Sequence, residues 1–321
     1  MNIRLILSGL VACVALCAVP GTTCAAQIFV ANFDIFAPPN TGTIGEYNAT
    51  TGAPVNPALV SGLNGAKGIA LSGGNLFVAN AQAGTIGEYN ATTGAPVNPT
   101  LVSGLNQPFG IALSGGNLFV SNIGNGTLSG TIGEYNATTG APVNPTLVSR
   151  LSGPAGIALS GGNLFVGDFN IFAGGDQISE YNATTGAPVN PALVSGLNGP
   201  EGIALSGGNL FVTNNASGTI GEYNATTGAP VNPTLVSGLN GPEGIAVSGG
   251  NLFVTNNGNG TIGEYNATTG APVNPALVSG LHPTGIVVVS ASVPDASSTW
   301  ALLLLGLTAI FGLKVMLRQP A

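Results

Sequence analysis

The sequence predicts an all-β fold, a six-bladed β-propeller of four-stranded antiparallel blades, and three observations predict it. A unit recurs almost verbatim along the chain, marked by Tyr47, Tyr89, Tyr135, Tyr181, Tyr223 and Tyr265 at spacings of 42, 46, 46, 42 and 42 residues. Each unit holds four short strand-like runs separated by turn residues, and repeats of that size and content are the mark of propeller blades. The two ends of the repeat region are complementary fragments of one unit.

In order, one unit reads Gly68-Ile69-Ala70-Leu71-Ser72, then Gly73-Gly74, then Asn75-Leu76-Phe77-Val78-Ala79-Asn80. After a loop come Thr85-Ile86-Gly87-Glu88-Tyr89-Asn90, a turn, and Pro99-Thr100-Leu101-Val102. The Gly-Gly pair predicts a two-residue hairpin, where positive φ is required. The longer turns, such as Thr50-Thr51-Gly52-Ala53-Pro54, place Gly and Pro in turn-forming roles. Leu76-Phe77-Val78 is apolar at successive positions, so both faces of that strand are expected to be buried, one against each neighbouring blade. A solenoid, the rival architecture, needs distinct polar caps at its ends, and the sequence shows none.

The repeat region starts inside a unit, at Gln27-Ile28-Phe29-Val30-Ala31-Asn32, and finishes with the missing first strand, Thr284-Gly285-Ile286-Val287-Val288. Counting strand types gives six of each. The last strand is therefore expected to complete the blade that the first residues begin, closing the ring and removing free sheet edges. The domain boundaries that follow are 1–26, 27–291 and 292–321.

Composition agrees. The 321 residues include 51 glycines and 22 prolines but only five Lys or Arg and twelve Asp or Glu. Gly, Pro, Asn and Thr disfavour helix along most of the length. A net charge of −7, with only Lys67 and Arg150 basic between residues 27 and 292, argues against nucleic acid, which needs basic patches.

Residues 1–26 read as a secretory signal peptide: Arg4, an apolar run from Leu5 to Val19, then Thr23-Cys24-Ala25-Ala26, with cleavage expected after Ala26. An uncleaved anchor is the alternative. Cys13, Cys17 and Cys24 all fall within this segment, so the mature chain is expected to hold no disulfide, no thiol nucleophile and no Cys-ligated metal.

Pro242-Glu243-Gly244-Ile245-Ala246-Val247, followed by Gly250–Asn256 and Asn259-Gly260-Thr261-Ile262, resembles an NHL repeat, and the resemblance extends to all six blades. It is specific for fold and poor for function, because propellers of this type include lactonases, lyases and pure binding modules.

At the other end, Val293-Pro294-Asp295, with Ser298-Thr299, leads into an apolar run from Trp300 to Leu313 and then Lys314 and Arg318. This resembles the PEP-CTERM class of bacterial sorting tails in a Val-Pro-Asp variant, with the usual arginine cluster thinned to Lys314 and Arg318. The resemblance implies a membrane exosortase that recognises the motif and removes the helix. Independently, Trp300–Leu317 as a helix is roughly 27 Å long, enough to span a membrane with Lys314 snorkelling and the C-terminus cytoplasmic. The propeller is then expected to be exported, first membrane-anchored, then at the cell surface or in the extracellular matrix.

Catalytic groups are sparse. His282, the one histidine, occupies a loop position that holds Asn240 in another unit, and a lone loop histidine is expected to be solvated. Serine–histidine catalysis needs converging partners, and histidine-ligated metal needs more than one His. Of eleven carboxylates in the propeller, six are the repeated Glu46, Glu88, Glu134, Glu180, Glu222 and Glu264, expected to be structural because catalysis needs an asymmetric cluster. A structural Ca²⁺ would need six to eight oxygens. The ring of Asn32, Asn80, Asn122, Asp168, Asn214 and Asn256 could supply some of them, with Asp168 the one candidate metal ligand. The Asn-Ala-Thr sequons from Asn48 onward are read as polar turns rather than glycosylation sites.

Comparing blades with one another locates the variation. The Tyr-to-Val interval is 31 residues in all five cases, whereas Val-to-Tyr, between second and third strands, is 17, 11, 15, 15, 11 and 11. The residue before the inner-strand glycine also varies: Lys67, Phe109, Ala155, Glu201, Glu243 and Thr284. Both spots are expected on one face of the ring, and variable loops on a rigid scaffold are where binding resides. The expected ligand-contact residues are therefore Lys67, Phe109, Glu201 and Glu243, with Asp34, Asn125, Asp168 and Asp176 from the long loops. The favoured reading is a non-enzymatic surface or matrix module binding a glycan or an envelope protein. The alternative is a cation-dependent hydrolase or lactonase using Asp168, Glu201 and Glu243.

Overall fold

In the computed structural model, which describes residues 26–125, 128–169 and 176–290, Gln27–Val289 folds into six four-stranded antiparallel sheets. Blade 1 combines Gln27–Asn32, Gly42–Asn48 and Pro54–Leu63 with the last strand, Pro283–Val289. Blades 2 to 6 each take four consecutive strands, beginning at Ala66, Pro108, Pro154, Pro200 and Pro242. The expected closure is present in register: Ile28 pairs with Val288, Phe29 with Val287 and Val30 with Ile286.

Five blades join their inner and second strands through Gly-Gly, with φ of 58° and 81° at Gly73 and Gly74, a sign at both positions that side chains resist. Blade 1 makes the same pairing with no covalent turn. The six-bladed ring is thus held together by hydrogen bonds where the chain ends meet.

The second strands are buried on both faces, as the apolar triplets require: Leu76 and Val78 are fully buried and Phe77 nearly so. They pack between blades. Phe29, Ile44 and Val60 of blade 1 meet Ile69, Leu76 and Val78 of blade 2 in one apolar cluster, and Phe77, Ile86 and Val102 of blade 2 meet Ile111, Leu118 and Val120 of blade 3 in the next. Burial of this kind contributes roughly 25 cal/mol per Å² of apolar surface, so each blade depends on both neighbours. The outer strands begin Pro-Val-Asn-Pro, as at Pro54–Pro57. Proline offers no N–H to a further strand, which blunts the exposed edges against pairing with another chain.

The repeated glutamates are structural. Asn75 Nδ2 donates to Glu88 Oε1 at 2.7 Å, and the same bond recurs at Asn117–Glu134, Asn163–Glu180, Asn209–Glu222 and Asn251–Glu264. Blade 1 has Gln27 where the others have Asn, and there burial pushes the Glu46 carboxyl above its usual range. The sequon asparagines organise turns: Asn136 Oδ1 accepts from the backbone N–H of Thr138 at 3.0 Å and of Thr139 at 2.9 Å. The expected signal peptide (apart from Ala26) and the tail, with the transmembrane helix expected there, fall outside the described residues.

Candidate functional site at the channel mouth

The two variable connections of each blade lie on one face, and one backbone hydrogen bond between them recurs in all six blades. It runs from Phe33 to His282, Ala81 to Gly65, Ile123 to Gln107, Phe169 to Gly153, Asn215 to Gly199 and Asn257 to Gly241, at 2.7–3.1 Å. This fixes the loops to the ends of the inner strands, which surround the axial channel.

The channel is built in rings. Glycines 68, 110, 156, 202, 244 and 285 each lie against the carbonyl oxygen of the pre-glycine residue in the next blade, so closely that a Cβ would collide. No other residue lets six inner strands approach this far. Three hydroxyls strengthen the ring. Ser121 accepts from Gly110 N–H at 2.7 Å and donates to the Ala155 carbonyl at 2.5 Å, and Thr213 and Thr255 do the same toward Glu243 and Thr284. Isoleucines 69, 111, 157, 203, 245 and 286 line the channel, whose cavity encloses about 90 Å³.

Lys67, Phe109, Glu201 and Glu243 converge at this cavity, drawn from four different blades. Lys67 Nζ lies 3.3 Å from Glu243 Oε2, with both side chains largely buried. The same ammonium sits 5.2 Å from the Phe109 ring centre and 5.9 Å from that of Phe33, a cation–π arrangement on two sides. Glu201 Oε2 is buried and has no hydrogen-bond partner among the described residues. Burial, then the neighbouring Glu243 carboxylate, push the Glu201 carboxyl up to about 8 against the pull of Lys67. Burial also raises Glu243, while the Lys67 charge and hydrogen bond hold it down. One ammonium thus serves two carboxylates, and the pair retains a proton that two exposed glutamates would release.

Of the two remaining pre-glycine positions in the inner ring, Ala155 is buried, and Thr284 Oγ1 lies 3.1 Å from the Ala31 carbonyl and 3.0 Å from that of Ala66. Asp34 joins the same opening. It lines an adjoining groove of about 800 Å³ with Phe33, Phe36, Lys67, Glu243 and His282. His282 is mostly exposed, with Nε2 3.8 Å from Asp34 Oδ2. Three other candidates stay outside the channel lining. Asn125 Oδ1 accepts from Gln107 Nε2 at 3.2 Å on an exposed loop. Asp168 Oδ1 accepts from the N–H groups of Ser152 at 3.1 Å and Gly153 at 2.8 Å, and Asp176 Oδ2 from Gly199 N–H at 2.5 Å. Both aspartates therefore cap loops. Burial, the largest influence, pushes Asp168 up in spite of those bonds. The five asparagines in ring register with Asp168 also stay out of the channel lining. Among the described residues no three His, Cys, Asp or Glu gather to hold a metal ion. Phe33 went unnoticed in the sequence, although it is aromatic at the start of a long variable loop.

Residues 239–265 match the family model of the NHL repeat. Residues 292–314 match the VPDSG-CTERM motif, which indicates an exported protein with a C-terminal sorting signal. No curated protein matches the sequence. Among solved structures, a chain of a nidogen/laminin complex aligns with a TM-score of 0.63 at 16% identity, covering 82% of this chain and 98% of its own. A computationally designed protein, Ika8, aligns with a TM-score of 0.44 at 17% identity, over 78% of this chain and 74% of its own. The first likeness shows the propeller fold.

Proposed function

We propose that this NHL-repeat propeller is a non-enzymatic binding module of the cell envelope or extracellular matrix, sorted through its tail by an exosortase-type enzyme. Its ligand, a glycan or an envelope protein, docks on the face that carries the variable connections. One observation carries the reading. On a scaffold repeated six times, the residues that break symmetry, Lys67, Phe109, Glu201 and Glu243, share one channel mouth. Repeated positions hold the scaffold, as the Asn75–Glu88 bond illustrates, whereas a lysine between aromatic rings beside two buried carboxylates is costly to fold and suits recognition.

The hydrolase alternative would draw on Asp168, Glu201 and Glu243, but Asp168 caps a loop away from the cavity. Two carboxylates fall short of the six to eight oxygens that calcium prefers. The test is a glycan array together with envelope-protein capture, using the full-length exported protein. Phe109→Ala and Glu201→Ala should each weaken the ligand that emerges, and unchanged affinity in both would refute the face assignment.

A further inference from the structure

The chemistry of the channel mouth narrows the class of ligand, given the reading that ligand docks on this face. With both glutamates ionised, two carboxylates face one ammonium, and Asp34 adds a third acid at the adjoining groove. Glu201 is the one ionisable group among the buried acceptors without a partner in the described residues, at Oε2, and the residue belongs to the cavity lining. The site therefore lacks a cation and a hydrogen-bond donor at the same place. Lys67 shows what the cavity accepts, since its ammonium is held by a carboxylate and faces two aromatic rings. The glycine ring keeps the bore narrow, at about 90 Å³, which suits an unbranched chain better than a pyranose ring. Beside it, the groove presents Ile35 and Phe36, 69% and 94% exposed, as apolar surface for flanking polypeptide.

We propose that the channel mouth receives a lysine side chain from a protein partner. The incoming ammonium donates to Glu201 Oε2 and packs against Phe109, while Lys67 stays on Glu243. Two ammonium groups then balance two carboxylates, and the buried acceptor is satisfied. An inorganic cation would find too few oxygens here.

The test is calorimetry on the full-length protein with three probes: the peptide acetyl-Gly-Gly-Lys-Gly-Gly-amide, its Nε-acetylated form, and glucosamine. At about pH 9 a lysine ammonium remains charged, its ordinary pKa being about 10.4, while Glu201 is ionised. The lysine peptide should bind roughly a hundredfold tighter at about pH 9 than at about pH 6, and the acetylated peptide should not bind. Glu201→Gln should remove the pH dependence together with most of the affinity. Lys67→Met should strengthen binding, because it removes the internal competitor and leaves both carboxylates for the peptide. Equal binding of the two peptides, tighter binding of glucosamine than of the lysine peptide, or weaker binding in Lys67→Met would overturn the inference. A ligand found by array that is lost in Phe109→Ala yet not displaced by the lysine peptide would sink the inference alone. A ligand indifferent to both Phe109→Ala and Glu201→Ala would sink the face assignment beneath it.

Discussion

Gly285, in the last strand of the ring, lies so close to the backbone carbonyl oxygen of Lys67 that no room is left for a Cβ. The contact joins blade 1 to blade 2, and the other inner-strand glycines repeat it around the axis. At Lys67, Phe109, Glu201 and Glu243 the pre-glycine residue therefore gives its carbonyl to a uniform ring and its side chain to the channel mouth. Backbone and side chain at one position serve scaffold and site separately, which allows Lys, Phe, Ala, Glu, Glu and Thr to occupy equivalent places without altering the fold.

Gly285→Ala should consequently destabilise the propeller by about 2–4 kcal/mol, since a methyl group would force the inner strands of blades 1 and 2 apart. Phe109→Ala should cost much less, because its backbone contact with Gly68 survives. Urea unfolding of the two variants makes the comparison, and equal midpoints would contradict the ring packing.

Stability should fall as pH rises through the neutral range. An unfolded glutamate releases its proton near 4.5, whereas folded Glu201 keeps it up to about 8, so the folded chain binds more protons between those values. Stability is then lost as pH rises across that window. Glu243 is shifted in the same direction. Glu201→Gln should flatten the profile and raise stability at about pH 9 by on the order of 2 kcal/mol. Melting curves in which wild type and variant lose stability in parallel would refute the buried acid pair.

Export and sorting are tested at the two ends of the chain. N-terminal sequencing should begin at Gln27, and deletion of Val293–Ala321 should release soluble protein. A mature N-terminus at Met1 or Asn2, or membrane association unchanged by the deletion, would contradict the expectation.

Most of the fold was legible in the sequence because repetition exposes it. Complementary end fragments located the closure, and the pairing of Ile28 with Val288 follows from them. The site was legible as a set of positions but not as a network. Sequence comparison singled out Lys67, Phe109, Glu201 and Glu243 because they differ between blades. It could not show that Lys67 reaches past blade 1 to Glu243, since that depends on a narrow bore and a long side chain. Asp168 and Asp176 looked equivalent to the channel glutamates for a related reason. A carboxylate that accepts backbone N–H groups to hold a loop is indistinguishable in sequence from one that faces a cavity, and the difference emerges only when Gly153 and Gly199 are found donating to them.

The claim that the variable face is the binding face is tested most directly by ligand affinity measured across opposite-face variants of the full-length protein. Phe109→Ala should weaken binding roughly tenfold or more, with thermal stability near wild type, while substitutions in the Thr50–Pro54 turn should leave affinity unchanged. Loss of affinity confined to the turn variants, with Phe109→Ala binding as wild type, would place the site on the other side of the ring.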